Sequence, residues 1–254
     1  MMPKDELLAS LFDDPSHLLA APMATWLASS RRFAAFATSF HSKIRKKLRA
    51  VQEPESLRDL QLELETAYLL LRERDLNLVY EPQPPRQMRS PDFAVSFTTS
   101  LTFMVEVTRL RAGSPRAAAA QEHTAGTSLA DPERSVTTID ERFTGMLGSK
   151  LGQLLPQRSN LLLVGVEAAH PTHDEIQSLM LRIQQRAENN DAAVIQRNGF
   201  RDRSDFFSHY QRLSTVLVRG IPLDGKPVVI WNNPQAKYPL PPKVRTLLAR
   251  SHTL

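Results

Sequence analysis

Apolar residues recur at helical spacing early in the chain. Trp26, Phe33, Phe36, Phe40, Ile44 and Leu48 mark one stripe, which predicts a helical segment from residue 3 to about residue 50. A second helix is expected from Ser56 to Arg74, with Ser56 as its cap and Asp59 as a first-turn acid. The period then shortens. Leu76 to Tyr80 reads as a strand, followed by a proline-rich loop from Glu81 to Ser90. Asp92 to Phe97 and Leu101 to Leu110, rich in Val, Phe and Thr, read as a hairpin. Residues 111–138 are rich in Ala, Ser, Gly and Thr and suggest a long loop. Further on, Ile139 to Leu155 and Thr172 to Glu188 are expected as helices. Asn160 to Glu167, Ser214 to Arg219 and Pro227 to Trp231 are expected as strands.

Helices and strands in this mixed order argue an α/β fold, with a central mixed sheet flanked by helices. The pattern divides the chain into a basic helical extension, residues 1–52, and an α/β domain, residues 53–254. No internal repeat is evident.

Composition narrows the classes of function. The 254 residues include no cysteine, which excludes disulfides, thiolate metal sites and a cysteine nucleophile. The longest apolar runs, such as Leu161 to Val166, fall far short of the roughly 20 residues that span a membrane. The start, Met-Met-Pro-Lys-Asp-Glu, lacks the pattern of a secretory signal. The expectation is a soluble cytoplasmic protein with no membrane partner, and a homodimer is left open.

The net charge of +5 is unevenly placed. From Pro15 to Gln52 there is no acid, while Arg31, Arg32, Lys43, Arg45, Lys46, Lys47 and Arg49 fall in that stretch. Cations concentrated on one element suit a polyanion such as DNA. A solvated helix face is the alternative.

Two acids carry the candidate chemistry. Asp92 opens one strand of the expected hairpin, and Glu106 lies inside the other, within Phe103-Met104-Val105-Glu106-Val107. Alternation puts Glu106 and Thr108 on one face, and Val105, Val107 and Arg109 on the other. A carboxylate inside such a run is costly to bury unless paired or bound to a cation. Two carboxylates together suit Mg²⁺ or Mn²⁺, hard ions that keep waters and take phosphate oxygens.

The order of an acidic helix, a strand, Pro91-Asp92, and a strand with Glu106-Val107-Thr108 resembles the PD-(D/E)XK nuclease superfamily over residues 56–167. The resemblance implies a restriction-endonuclease-like core and metal-dependent hydrolysis of phosphodiester bonds, with DNA as substrate. It implies metal binding by Asp92 and Glu106. The family's lysine falls at Thr108, where this chain departs from the pattern. A nuclease-like domain that binds nucleic acid or protein without cutting is the alternative.

The resemblance also implies a relocated lysine in the following helix. On a wheel at about 100° per residue, Lys150 falls among Phe143, Leu147 and Leu154, with Gln153 beside it. Lys150 is therefore the expected ammonium and Gln153 its hydrogen-bonding neighbour. The upstream helix should supply a further acid, Glu63 or Glu65. Glu63 lies on the edge of the apolar face and Glu65 beside Arg72. His170, His173 and Glu175 straddle a turn and a helix start, where acids serve the helix dipole.

Overall fold

A computed structural model of the chain describes residues 3–83, 90–99, 101–111, 132–167, 171–222 and 228–251, with the backbone alone for residues 132–139. It is of the α/β class, with strands paired both parallel and antiparallel. The chain forms two compact units. The first joins Met1–Thr108 to Leu240–Leu254, and the second is Arg109–Pro239. Among the described residues, no helix is long and apolar enough to cross a membrane.

In the first unit the early segment forms four helices: α1 (Lys4–Leu11), α2 (Ala20–Ser29), α3 (Arg31–Ser39) and α4 (His41–Ala50). The break between α2 and α3 has a local cause. Ser30 is extended, and its hydroxyl accepts the Phe33 amide as an N-cap. Helix α5 (Pro54–Leu70) starts with proline at a first-turn position, where a missing N–H costs nothing. Strands β1 (Asn77–Tyr80), β2 (Phe93–Ser96) and β3 (Thr102–Leu110) follow. Each pairs antiparallel with the next, Tyr80 opposite Phe93 and Phe93 opposite Val105.

The aromatic stripe becomes the core of this unit. Trp26 packs edge-on to Phe33, Phe33 stacks on Phe36, and Phe36 meets Tyr80 and Phe93. Trp26, Phe33, Phe36, Ile44 and Leu48 are buried, and Phe40 is half-buried. Arg32 in α3 donates to the backbone carbonyls of Leu71, Glu73 and Leu76, binding the turn after α5 to the helical layer.

The second unit holds α6 (Pro132–Leu151), β4 (Ser159–Val166), α7 (His173–Glu188), α8 (Arg203–Tyr210), β5 (Leu213–Gly220) and β6 (Val229–Asn232). Strands β4 and β5 are parallel, joined through α7 and α8, and β6 runs antiparallel to β5. Phe143, Leu147, Leu151, Val164, Met180, Phe206 and Trp231 share one core. Asn160 fixes the start of β4, its Nδ2 donating to the carbonyls of Leu155, Arg158 and Arg212.

Several boundaries depart from the pattern reading. Helix α6 begins at Pro132, inside the stretch expected as loop, and ends at Leu151, short of Gln153. The rest of that loop, residues 112–131, and most of the proline-rich loop lie outside the described residues. Helices α8 and α9 (Pro242–Ser251) were not expected. Their signals are local and short: Asp202 accepts the Asp205 amide as a cap, and Pro242 occupies the first helical position of α9.

Candidate functional site

The hairpin places its two acids opposite each other. Phe93 pairs with Val105, so the register continued one step sets Asp92 opposite Glu106. Asp92 is held by the partner strand, its Oδ2 accepting the Val107 amide at 2.7 Å. Glu106 is 6% exposed. Burial first, then the charges of Glu106 and Glu63, raise the Asp92 carboxyl well above the usual carboxylate range. The Val107 hydrogen bond and Lys47 oppose that shift and are outweighed.

Helix α5 supplies Glu63. It is the helix acid whose charge reaches Asp92, whereas Glu65, two residues on, projects from a different side of the helix. Leu60, Leu64 and Ala67 bury the face beside Glu63, which leaves its side chain 13% exposed.

Pattern reading did not single out the ammonium that stands here. Lys47, in the last turn of α4, lies 2.7 Å from Glu63 Oε1 and 2.8 Å from Glu81 Oε1. Its Nζ also sits 4.9 Å from the Tyr80 ring centroid. Burial alone would lower the Lys47 pKa, but the two carboxylates outweigh it and the pKa is raised. The sequence carries only half of the signal: Ile44 and Leu48 mark the buried face of α4, and Lys47, three residues after Ile44, falls on its edge.

Glu81 reaches Lys47 from an unusual backbone. It has φ of 42° just after β1, a region few non-glycine residues occupy. Its amide donates to the Asp92 carbonyl at 2.8 Å, and Lys43 Nζ donates to the carbonyls of Tyr80 and Glu81. The turn is thus held from two sides, which offsets a backbone strain of order 1–3 kcal/mol.

Tyr80 completes the cluster. It is 0% exposed, and its hydroxyl makes no hydrogen bond of acceptable geometry. Burial, then the nearby Glu63, Glu81 and Asp92 charges, raise its pKa. The approach of the hydroxyl to the Glu63 carboxylate adds to that shift.

The other expected residues are placed as follows. Lys150 lies in the last turn of α6 in the second unit and is half-buried. Gln153 lies beyond that helix and donates from Nε2 to the Ser149 carbonyl at 3.2 Å. Arg109 is buried and paired with Glu167. Glu175 serves a capping box with Thr172 at the start of α7, His173 is exposed, and His170 lies outside the described residues. Among the described residues, no group of three or more His, Cys, Asp or Glu side chains is arranged to hold a metal ion.

Much of the basic stretch is used internally. Arg45 and Arg49 both pair with Asp13, Arg32 and Lys43 hold carbonyls, and Lys47 binds the acids. Arg31 and Lys46 are exposed. No protein-family model matches this chain, and no curated protein or solved structure matches it.

Proposed function

We propose that Asp92 and Glu106 form the hard-cation site of a metal-dependent phosphodiesterase of the PD-(D/E)XK type, acting on DNA. The observation that carries this reading is the opposition of two carboxylates on one hairpin, in surroundings that leave Asp92 poorly compensated. The donor set fits Mg²⁺ or Mn²⁺, since such ions need only one or two carboxylates from the protein. A bound ion of this kind lowers the pKa of a coordinated water and draws charge from a phosphate oxygen.

The chain's own residues supply the rest. Asp92 is held in place by the Val107 amide, which fixes its carboxylate against the strand. The Lys47 ammonium stays charged beside the acids and can offset charge on a phosphate. Lys150, with Gln153 after it, is the ammonium implied by the family resemblance. Arg31 and Lys46 present cations to the DNA backbone.

A second reading is a nuclease-like domain that binds without cutting. It is favoured by Thr108 in the family's lysine position and by the internal partners of Arg32, Lys43, Arg45 and Arg49. Incubation of plasmid and linear DNA with Mg²⁺ or Mn²⁺, against an EDTA control, separates the two. Cation-dependent cleavage that Asp92→Ala and Glu106→Ala abolish supports the enzyme. Intact plasmid, linear DNA and RNA with every divalent ion leave the binding module.

A further inference from the structure

We infer that Lys47 is a tethered counter-ion that occupies the carboxylate site at rest and competes with a divalent cation for it. The inference rests on the reading of Asp92 and Glu106 as a cation site, and adds how entry to that site is controlled.

Three observations carry it. The first is the position of the ammonium, within 2.8 Å of oxygens from Glu63 and Glu81, both of which carry charge felt by the Tyr80 hydroxyl. The second is its origin. Lys47 comes from α4, outside the hairpin and α5 that carry the acids, on a flexible four-carbon stem with its side chain 28% exposed. It can withdraw toward solvent without moving a strand. The third is the polar group buried beside the acids. The Tyr80 hydroxyl is fully buried next to the same carboxylates, close to Glu63, yet forms no hydrogen bond of good geometry. A buried hydroxyl seldom stays so poorly matched unless a ligand or water completes its surroundings.

The ammonium is a single positive charge with three donors, and it cannot replace the stronger field of a divalent ion. A divalent ion arriving at Asp92 and Glu106 repels Lys47 and takes over part of the negative potential that holds it. Lys47 then leaves its clasp with Glu63 and Glu81, and its charge becomes available to a phosphate at the mouth of the site. Cation loading and presentation of the ammonium are thereby one event.

The test is calorimetric titration of Mn²⁺ into the full chain and its variants. Lys47→Met should bind Mn²⁺ about tenfold or more tightly than wild type, because a competing charge is gone. Lys47→Arg, which keeps the charge, should stay near the wild-type affinity. Asp92→Asn should remove binding in every background. If wild type binds Mn²⁺ through Asp92 and Lys47→Met binds equally or more weakly, the counter-ion role is wrong and the cation site stands. If neither wild type nor Lys47→Met binds, both ideas fall. Should Lys47→Met not fold, the Lys47 side-chain NMR signal of the wild type decides on titration with diamagnetic Mg²⁺. It should shift with the binding midpoint, and a signal unmoved at saturation overturns the inference.

Discussion

Lys47 Nζ and Glu63 Oε1 stand 2.7 Å apart, joining the acid-free helix α4 to the acid-bearing helix α5. The absence of acids from Pro15 to Gln52 therefore has an internal explanation. Its cations meet Glu63, Glu81, Asp13 and a set of backbone carbonyls, all in the same compact unit. Charge that looks like a surface for a polyanion is in large part the complement of acids and backbone carbonyls elsewhere in the fold.

The Asp92 carboxyl titrates above its ordinary range in the folded chain, so folding takes up protons there. Its stabilising contribution is present below about pH 4, the unfolded carboxylate range, and is lost as pH rises through the folded value. Asp92→Asn mimics the protonated group and can still accept the Val107 amide. Its melting temperature should exceed that of wild type at about pH 7, with the gap closing toward about pH 4. A gap that stays constant with pH would show that Asp92 is well compensated.

The Tyr80 hydroxyl is buried close to Glu63 but with no hydrogen bond of good geometry, a situation that costs about 1–3 kcal/mol. Tyr80→Phe keeps the ring against Phe36 and Phe93 and removes the cost. Denaturant unfolding should show stability unchanged or raised by about 1 kcal/mol. Phe93→Ala, in the same aromatic cluster, should lose about 3–5 kcal/mol. A loss of similar size in Tyr80→Phe would mean that the hydroxyl is bonded.

The basic residues separate into structural and surface roles. Lys43 donates to the Tyr80 and Glu81 carbonyls, whereas Arg31 and Lys46 are exposed. Lys43→Ala should lower the melting temperature. Arg31→Glu with Lys46→Glu should leave it unchanged, weaken DNA binding and reduce the slope of log affinity against log salt by about one per lost phosphate contact. An identical slope in the double variant would assign this surface to solvation alone.

Lys150→Met keeps the stem's bulk and removes the charge. If Lys150 supplies the ammonium, cleavage should fall by about 10²–10³-fold with the melting curve unchanged. Thr108→Lys in that background should restore part of it, because position 108 shares a strand face with Glu106. Cleavage at the wild-type rate in Lys150→Met, together with loss in Lys47→Met, would move the role to Lys47.

The elements with strong periods were legible. The aromatic stripe, the hairpin and the placing of Asp92 and Glu106 on facing strands follow from spacing alone. Spacing along α5 set Glu63 at the edge of an apolar face and left Glu65 open as the alternative. Lys47 was not legible, since its neighbours in the site come from α5 and the end of β1. A single helix reports which side is apolar, and says nothing of which distant acid will meet its edge. Helices α8 and α9 escaped for another reason: at 8 and 10 residues they hold too few turns for a period to stand out.

The carboxylate of Glu73, just after α5, is grasped by Arg250 of α9, a residue 177 positions later in the chain. On a ribosome adding about 5–20 residues per second, the two are made on the order of 10–35 seconds apart. Throughout that interval the nascent first unit has its acids and its basic helices but lacks its closing helix. The intervening 131-residue span, Arg109–Pro239, is synthesised whole before the first unit can be finished. Vectorial synthesis thus imposes an order: the unit begun first is the one completed last.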